Sequence, residues 1–161
     1  MVLYKKILLL HAGTEAGDEA LKHAIHVATP SYSEVLILHA VERSLYPSMF
    51  ALKTSDKESF IKELDEVTEI VKKHMTGEMK KRVQKCKEEG ITAKYEIVVG
   101  YPTSEIISAV QKYEIDLVVM AKKRKFSENK VLNLGDVTRK VLESVKCPVL
   151  IIDSEIKLTK H

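Results

Sequence analysis

The sequence predicts an α/β protein: a three-layer sandwich built on a five-stranded, parallel, doubly wound (Rossmann-like) sheet. Two observations predict this fold. Five short apolar runs, each of strand length, alternate with segments in which apolar residues recur three or four positions apart, as on one face of a helix. Strands that alternate with helices pair in parallel through crossover connections, so helices cover both faces of the sheet. The 161 residues suit a single domain over 1–153, followed by a polar C-terminal tail over 154–161.

The first half of the chain predicts two strands and two helices. Apolar residues at helical spacing follow Gly17, and Pro30 ends that helix because proline disfavours helical geometry in the residue before it. A stretch with Pro47 and several serines predicts a loop of about a dozen residues, a length that is often functional. In order, the predicted elements are strand Leu3–Leu10, the first helix, strand Val35–Val41, a loop over 42–55 and a helix over Asp56–Glu89.

The charges of the long helix are polarised. Its first part, Asp56–Glu69, carries six acids and two bases, whereas Lys72–Lys87 carries seven bases and one acid. Acids near the N-terminus and bases near the C-terminus suit the helix dipole, so we interpret the pattern as stabilising the helix. Thr76-Gly77 is expected to kink or fray it, and Gly90 to cap its C-terminus.

The second half of the chain predicts three strands and two helices. An alternating pattern that becomes fully apolar is typical of a strand near a sheet edge. A turn over 100–105 then leads into a helix. The predicted elements are strand Thr92–Val99, that helix, strand Ile115–Ala121, a helix over Asn133–Val145 and strand Cys147–Ile152. In such sheets ligands bind beyond the carboxyl ends of the strands where the strand order reverses. We therefore expect the functional edge between Met120 and Thr138.

Composition excludes several classes of protein. The net charge of +3 does not favour nucleic acid as the main partner. No apolar run approaches the roughly 20 residues that span a bilayer, and the N-terminus is typical of a strand rather than a signal peptide. Cys86 and Cys147 form no metal or redox spacing, so we interpret both as buried free thiols. These features together predict a cytoplasmic protein without a membrane partner.

Three segments, in order, resemble the universal stress protein family. They are KKILLLHAGTEAGDEALKHAIHVA (5–28), GYPTSEIISAVQKYEIDLVVMA (100–121) and LGDVTRKVLESVKCPVLII (134–152). The resemblance implies a doubly wound five-stranded fold and a homodimer formed through the last strand, here Val149–Ile152. It also implies that ATP or AMP binds to some members and not to others. An apolar last strand with an uncovered edge supports the same dimer, because such an edge is an aggregation hazard unless paired.

The nucleotide-binding members carry Gly-x-x-Gly, about nine residues, then Gly-Ser/Thr, and an Asp after strand one. Glycines let backbone amides approach phosphates, and a helix N-terminus completes the anion site. This sequence departs from that motif. Ala121 and Arg124 replace the two glycines, ten residues separate Arg124 from Gly135, and Asp136 replaces the hydroxyl. Ala12 stands where the Asp is expected.

A basic loop, Lys122–Lys125, leaves three interpretations open: a solvated loop, a rebuilt anion or nucleotide site, or contact with an acidic partner or nucleic acid. In the second interpretation Lys123 and Arg124 hold phosphates, while Ala40, Met120, Val137 and Thr138 surround base and sugar. Together with the departures above, the complete candidate site comprises Ala12, Thr14, Ala40, Met120, Ala121, Lys123, Arg124, Gly135, Asp136, Val137 and Thr138.

No residue pattern predicts catalysis or a metal site. His11 follows strand one but lacks the second histidine of His-x-Gly-His, because Thr14 stands there. His39 lies inside an apolar strand, which favours a structural role. Ser104 has no nucleophile elbow around it. The function predicted is therefore a non-catalytic stress-response dimer with a degenerate ATP-binding motif. The alternative is an ATP- or AMP-binding switch with a rebuilt phosphate site at Lys122–Lys125, and weak nucleotide hydrolysis stays open.

Overall fold

A computed structural model describes residues 4–42, 54–122, 124–126 and 132–153. The predicted N-terminal start of the first strand, most of the loop over 42–55 and the polar tail over 154–161 lie outside these residues. The elements are strands β1 (Lys6–Leu10), β2 (Glu34–Val41), β3 (Ala93–Val99), β4 (Leu117–Lys122), β5 (Arg124–Phe126), β6 (Leu132–Leu134) and β7 (Val149–Asp153), and helices α1 (Glu15–Ala28), α2 (Thr54–Glu88), α3 (Pro102–Lys112) and α4 (Asp136–Ser144).

The main sheet has five parallel strands, as the sequence predicts, and their order is β3-β2-β1-β4-β7. The central strand β1 pairs on both sides: Leu8 lies opposite Leu36 of β2 and Val118 of β4. From β1 the chain first builds outwards to β3 and then returns to build outwards through β4 to β7. The strand order therefore reverses between β1 and β4, where a crevice opens at the carboxyl ends of the strands.

Each face of the sheet buries its own apolar layer. The face that carries Ile7 and Leu9 packs against α1 and α2, with Met79 and Cys86 fully buried. The opposite face carries Leu8 and packs against α3 and α4. Successive side chains of a strand point to opposite faces, so the continuous run Ile7–Leu9 supplies both layers.

Asp116 fixes the position of β4 beside β1. Its carboxylate accepts hydrogen bonds from the backbone N–H groups of Lys5, at 2.8 Å, and Lys6, at 3.1 Å. The N–H of Asp116 in turn donates to the carbonyl of Lys6. A slip of either strand would break all three bonds, so this aspartate sets the register at the amino ends of the two central strands.

The structure corrects the predicted segment after β4. A two-stranded antiparallel pair, β5 and β6, lies where the sequence predicts a loop and the start of a helix at Asn133. Asn133 lies in β6 instead, and the helix begins only at Asp136. Gly135, in extended backbone geometry, occupies the N-cap position of α4 and separates the two elements. Short strands of three residues leave too little pattern to be recognised from sequence.

The long helix α2 is continuous through Thr76-Gly77, so it does not fray there, where the sequence predicts a kink or fraying. Its C-terminus is capped by Gly90, as predicted. The Gly90 N–H donates to Lys87 and the Ile91 N–H donates to Cys86, while Gly90 adopts a φ of +76°. This pair of hydrogen bonds is the Schellman motif.

The two cysteines differ in environment. Cys86 is fully buried, and desolvation raises the pKa of its thiol to about 11, so it is a core residue as predicted. Cys147 is only partly buried, which corrects the prediction that both thiols lie in the core. In the described part of the chain, no helix combines the length and apolar composition that a membrane span requires.

Replacing Gly77, within α2, or Gly90, just after it, by alanine should change the stability of the protein in opposite directions. A Cβ at Gly77 or Gly90 would meet no atom within 4 Å, so only backbone conformation differs between them. Gly90→Ala should destabilise the protein by about 1–2 kcal/mol because alanine disfavours the left-handed region. Gly77→Ala should stabilise it by up to about 1 kcal/mol through helix propensity. Chemical denaturation of both variants beside the wild type measures the two signs, and equal signs would contradict the capping role of Gly90.

Candidate functional site

A cleft of about 310 Å³ opens beyond the carboxyl ends of β1 and β4, at the point where the strand order reverses. The loop after β1, the ends of β2 and β4, and the first turn of α4 surround it. Most of its walls are apolar. The lining residues are Leu10, His11, Ala12, Thr14, Ala16, Gly17, His39, Ala40, Pro102, Met120, Ala121, Lys122, Gly135, Val137 and Thr138.

Most residues of the predicted site line this cleft: Ala12, Thr14, Ala40, Met120, Ala121, Gly135, Val137 and Thr138. Three do not. Asp136 lies in the first turn of α4 but is exposed, within 3.6 Å of Arg139. Lys123 lies outside the described residues. Arg124 belongs to β5, and its side chain also lies outside the described part of the chain.

The remaining lining residues lie outside the predicted site. Lys122 belongs to the predicted basic loop, and His11 follows the first strand without a complete His-x-Gly-His motif. In the sequence pattern, Leu10 and Ala16 occupy positions typical of the core, and Pro102 occupies a position typical of the start of a helix. Gly17 and His39 carry the least visible signal, because their importance depends on contacts between elements that are distant in sequence.

The loop from β1 into α1 is held by its own hydrogen bonds. The Thr14 hydroxyl caps α1 by accepting a hydrogen bond from the Gly17 N–H at 3.2 Å. A Cβ at Gly17 would lie 2.6 Å from the His11 ring, so only glycine lets α1 come this close to the end of β1. On the other side of the loop, a Cβ at Gly13 would lie 2.7 Å from the Cε of Met75 in α2.

His11 is fully buried, and both of its ring nitrogens are occupied. The Gly13 N–H donates to Nδ1 at 2.9 Å, and the Nε2–H donates to the Asp18 carboxylate at 2.9 Å. This arrangement requires the neutral tautomer with its proton on Nε2. Burial lowers the pKa of His11 below its ordinary 6.5, although the nearby Asp18 acts in the opposite direction. His11 is therefore a structural residue of the cleft wall.

Asp18 connects this histidine to α2. The Arg82 guanidinium donates to its two carboxylate oxygens at 3.0 and 3.3 Å. Desolvation would raise the pKa of Asp18, but the hydrogen bonds from Arg82 and His11 hold it below its ordinary 3.8. Arg82 also donates to the carboxylate of Glu78, and hydrogen bonds from Lys81 and Arg82 lower the pKa of Glu78 to about 2. The network fixes α1 against α2 beside the cleft.

His39 brings a polar group to the apolar cleft. It is 9% exposed, and its Nδ1–H donates to the carbonyl of His11 at 2.8 Å. In the neutral ring this tautomer leaves Nε2 as a hydrogen-bond acceptor. Thr138, 3% exposed, adds a hydroxyl from the first turn of α4. An apolar pocket with a few fixed polar groups is typical of sites for small organic ligands.

The first turn of α4 supplies the anion-binding potential of the cleft. Gly135 is buried, and the N–H groups of Asp136, Val137 and Thr138 have no partner within the helix. Lys122, on the end of β4, adds a positive charge, with its Nζ 4.0 Å from Asp153. Asp136 opposes this potential, because its carboxylate brings negative charge to the same helix end.

Because both nitrogens of His11 are engaged, this histidine offers no free base to the cleft. Among the described residues, no group of three histidine, cysteine, aspartate or glutamate side chains is placed to hold a metal ion.

The fold and the cleft define a doubly wound α/β protein with an apolar cleft at the switch point of its sheet. Comparison with known proteins gives the family. The model of the universal stress protein family matches residues 3–153. The chain belongs to the universal stress protein family, which confirms the resemblance seen in the sequence.

Individual relatives are similar in sequence and fold to this chain over nearly its full length. Universal stress protein MJ0577 of Methanocaldococcus jannaschii is 30% identical over 161 residues, which cover 94% of this chain and 96% of that protein. Its solved structure has a TM-score of 0.75, with 26% identity and coverage of 94% of this chain and 97% of that one. The universal stress protein UspA from Lactobacillus plantarum has a TM-score of 0.78 at 25% identity, covering 94% and 99% of the two chains.

The buried His11 should make stability pH-dependent in a defined window. The unfolded chain protonates this histidine near pH 6.5, whereas in the folded protein the lowered pKa delays protonation to lower pH. The contribution of His11 is therefore complete above pH 6.5 and is lost as pH falls through the folded pKa. His11→Asn preserves one donor and one acceptor but cannot titrate. Urea unfolding should show a steeper loss of stability below pH 6.5 in the wild type than in His11→Asn.

The pH range of this experiment is chosen to keep Asp18 ionised. Its pKa is lowered from 3.8, first by hydrogen bonds from Arg82, which both proteins retain, so stability changes above pH 4 report mainly on His11. Parallel stability curves for the wild type and His11→Asn between pH 6.5 and 4 would contradict the buried, neutral state of His11.

Proposed function

We propose that this universal stress protein acts by binding rather than by catalysis, and that its cleft takes an adenine nucleotide with modest affinity. The observation that carries this proposal is the preformed apolar cleft of about 310 Å³ at the switch point. Ala40, Met120 and Val137 would contact the base and sugar, and His39 and Thr138 would supply polar contacts. A pocket of this size suits a small organic ligand.

Nucleotides occur in other proteins of this fold. One solved universal stress protein is in complex with cAMP, at 16% identity and a TM-score of 0.64. A family protein from Arabidopsis thaliana has AMP bound, at 18% identity and a TM-score of 0.57. At such identities only the fold is shared, so the assignment of a nucleotide to this chain depends on its own cleft.

The modest affinity follows from the phosphate side of the cleft. Ala121 and Arg124 stand where the nucleotide-binding members have glycines, and Asp136 brings negative charge to the start of α4. Lys122 and the free N–H groups of α4 would hold the phosphates instead. Lys123 and Arg124 stay predicted contacts from the sequence. The degenerate motif therefore predicts that the protein purifies without stoichiometric nucleotide.

Titration with adenosine, AMP and ATP tests this site. All three should raise the melting temperature, with saturation at millimolar rather than micromolar concentration, because a ligand stabilises only the state that it binds. Ala40→Leu should abolish the shift for all three by filling the cleft. Lys122→Ala should reduce the shift with AMP and ATP and leave that with adenosine unchanged, since adenosine carries no phosphate.

Lys146→Ala is the matched control, because Lys146 is exposed between α4 and β7, outside the cleft lining. It should leave every shift unchanged. ATP or AMP bound in near-stoichiometric amount after purification would contradict the modest affinity. No shift with any of the three ligands would contradict the nucleotide site itself.

The second part of the proposal is a homodimer through the last strand, Val149–Ile152. The two edges of the sheet differ in the side chains that they carry. The β3 edge carries Lys94 and Glu96, and such charges discourage pairing with another strand. The β7 edge is apolar until Asp153, and Val149, Leu150 and Ile151 are each only partly buried. This edge is therefore the one suited to pair with a second copy.

The backbone of β7 allows a sharp test of the dimer. The Val118 N–H donates to Pro148, and in a parallel ladder the N–H of Ile151 then points away from β4. Ile151→Pro removes that outward donor, and proline is tolerated at such edge positions. Sedimentation should show a lower mass for Ile151→Pro, while Ile151→Ala, which loses the same side chain but keeps the donor, should keep the mass of the wild type. Equal masses for both variants would contradict the β7 interface.

A further inference from the structure

The N-terminal half of α2 leaves apolar side chains in solvent. Helix α2 has 35 residues and a length of about 52 Å, roughly twice that of the longest strand. Its C-terminal half packs on the sheet through Met75, Met79 and Cys86. Before Met75, however, Val67, Ile70 and Val71 are 55%, 67% and 38% exposed. We call these three residues the α2 patch.

The spacing of apolar residues around the α2 patch is that of a helix–helix seam. Phe60, Leu64, Val67 and Val71 follow one another at intervals of four, three and four residues. This spacing is the heptad pattern, which places side chains along one side of a helix where a second helix packs. Phe60 and Leu64 are only half-buried, so the seam is open among the described residues.

The same side of α2 carries charges of opposite sign beyond each end of the α2 patch. Asp56 and Glu63 precede the α2 patch on this side of the helix, and Lys81 and Lys85 follow the patch on the same side. Helical spacing places all four on the side that carries the patch. All four are exposed. Lys81 contacts Glu78 at 2.9 Å, yet its side chain remains 71% exposed. Glu78 also lies on this side, where its carboxylate is paired with Lys81 and Arg82. Apart from this paired acid, the order along the side is acidic, apolar, basic.

The helix dipole does not explain this order. Its influence falls off within the first and last turns, whereas the acids continue to Glu69, just over four turns into α2. The dipole accounts for Asp56, Lys85 and Lys87, which lie in the terminal turns. The acids and bases of the middle turns need a different explanation.

We infer that the α2 patch binds the α2 patch of a second copy of this chain, with the two helices antiparallel. A two-fold axis through the patch would place Val67, Ile70 and Val71 against their counterparts. It would also bring Asp56 and Glu63 of one protomer towards Lys81 and Lys85 of its partner. An acidic–apolar–basic order is self-complementary in this orientation, which is the requirement of a two-fold interface. The contact is separate from the β7 edge and from the cleft.

Charge-swap mixing tests this interface. In Asp56→Lys/Glu63→Lys both ends of the seam are basic, and in Lys81→Glu/Lys85→Glu both are acidic, so neither variant should associate with itself. An equimolar mixture should associate again, because each basic chain then faces an acidic one. Sedimentation at high micromolar concentration should show lower average mass for each variant alone and the mass of the wild type for the mixture.

Two further variants secure the interpretation. Val67→Glu/Ile70→Glu should raise the dissociation constant by more than about tenfold, since it buries charge at the centre of the seam. Glu69→Lys changes charge on the opposite side of α2 and should leave the mass unchanged. Repeating the same α2 variants in the Ile151→Pro background separates association through the α2 patch from association through the β7 edge. All masses are measured without nucleotide.

Several results would overturn the inference. A wild type whose association depends on β7 alone would exclude a second copy as the partner of the α2 patch. A mixture of the two charge-swap variants that does not recover the mass of the wild type would exclude it as well. A lower melting temperature in Val67→Glu/Ile70→Glu with unchanged mass would mean that another segment of the same chain covers the patch. Equal loss of mass in Glu69→Lys would show a general effect of charge instead of a specific seam.

Discussion

The pairing of β1 on both of its edges is the constraint on which the rest of the molecule depends. Because β1 is central, neither its edges nor its faces can meet solvent, and Ile7, Leu8 and Leu9 are completely buried. Side chains alternate between the faces, so one short run of leucine and isoleucine anchors both helical layers. The reversal of strand order beside β1 then leaves a crevice that no crossover helix covers, and the candidate site is a consequence of the topology.

Much of the fold could be predicted because buried parallel strands are apolar along their whole length. The two misjudged segments show where this signal ends. Residues 132–134 and 124–126 form strands of only three residues, too short for a period to appear. Helix α2 continues through Gly77 because the packing of Met75 and Met79 outweighs a local preference of about 1 kcal/mol. Cys147 has an apolar neighbourhood in sequence but lies near the sheet edge, where burial is incomplete.

The location of the cleft could be predicted from the sequence, but only some of the residues that line it could be. Residues such as Ala40 and Thr138 follow from their places at strand ends and helix starts, which topology brings together. Gly17 and His39 act through contacts that only the folded chain creates, namely the approach of α1 to His11 and the hydrogen bond from His39 to the His11 carbonyl. Pairwise contacts between distant segments leave no periodic trace in a single sequence, so these two residues had to be found in the structure.

Helix α2 extends from the loop beside the cleft to the α2 patch. Its C-terminal half reaches the cleft, through Met75 against Gly13 and through Arg82 on Asp18, while its N-terminal half carries the α2 patch. Because the helix is continuous between these contacts, the loop beside the cleft and the α2 patch depend on the position of one element. A change in the position of α2 would therefore alter the loop that holds His11 and Thr14. By linkage, any ligand that distinguishes two such positions would bind with an affinity coupled to association at the patch.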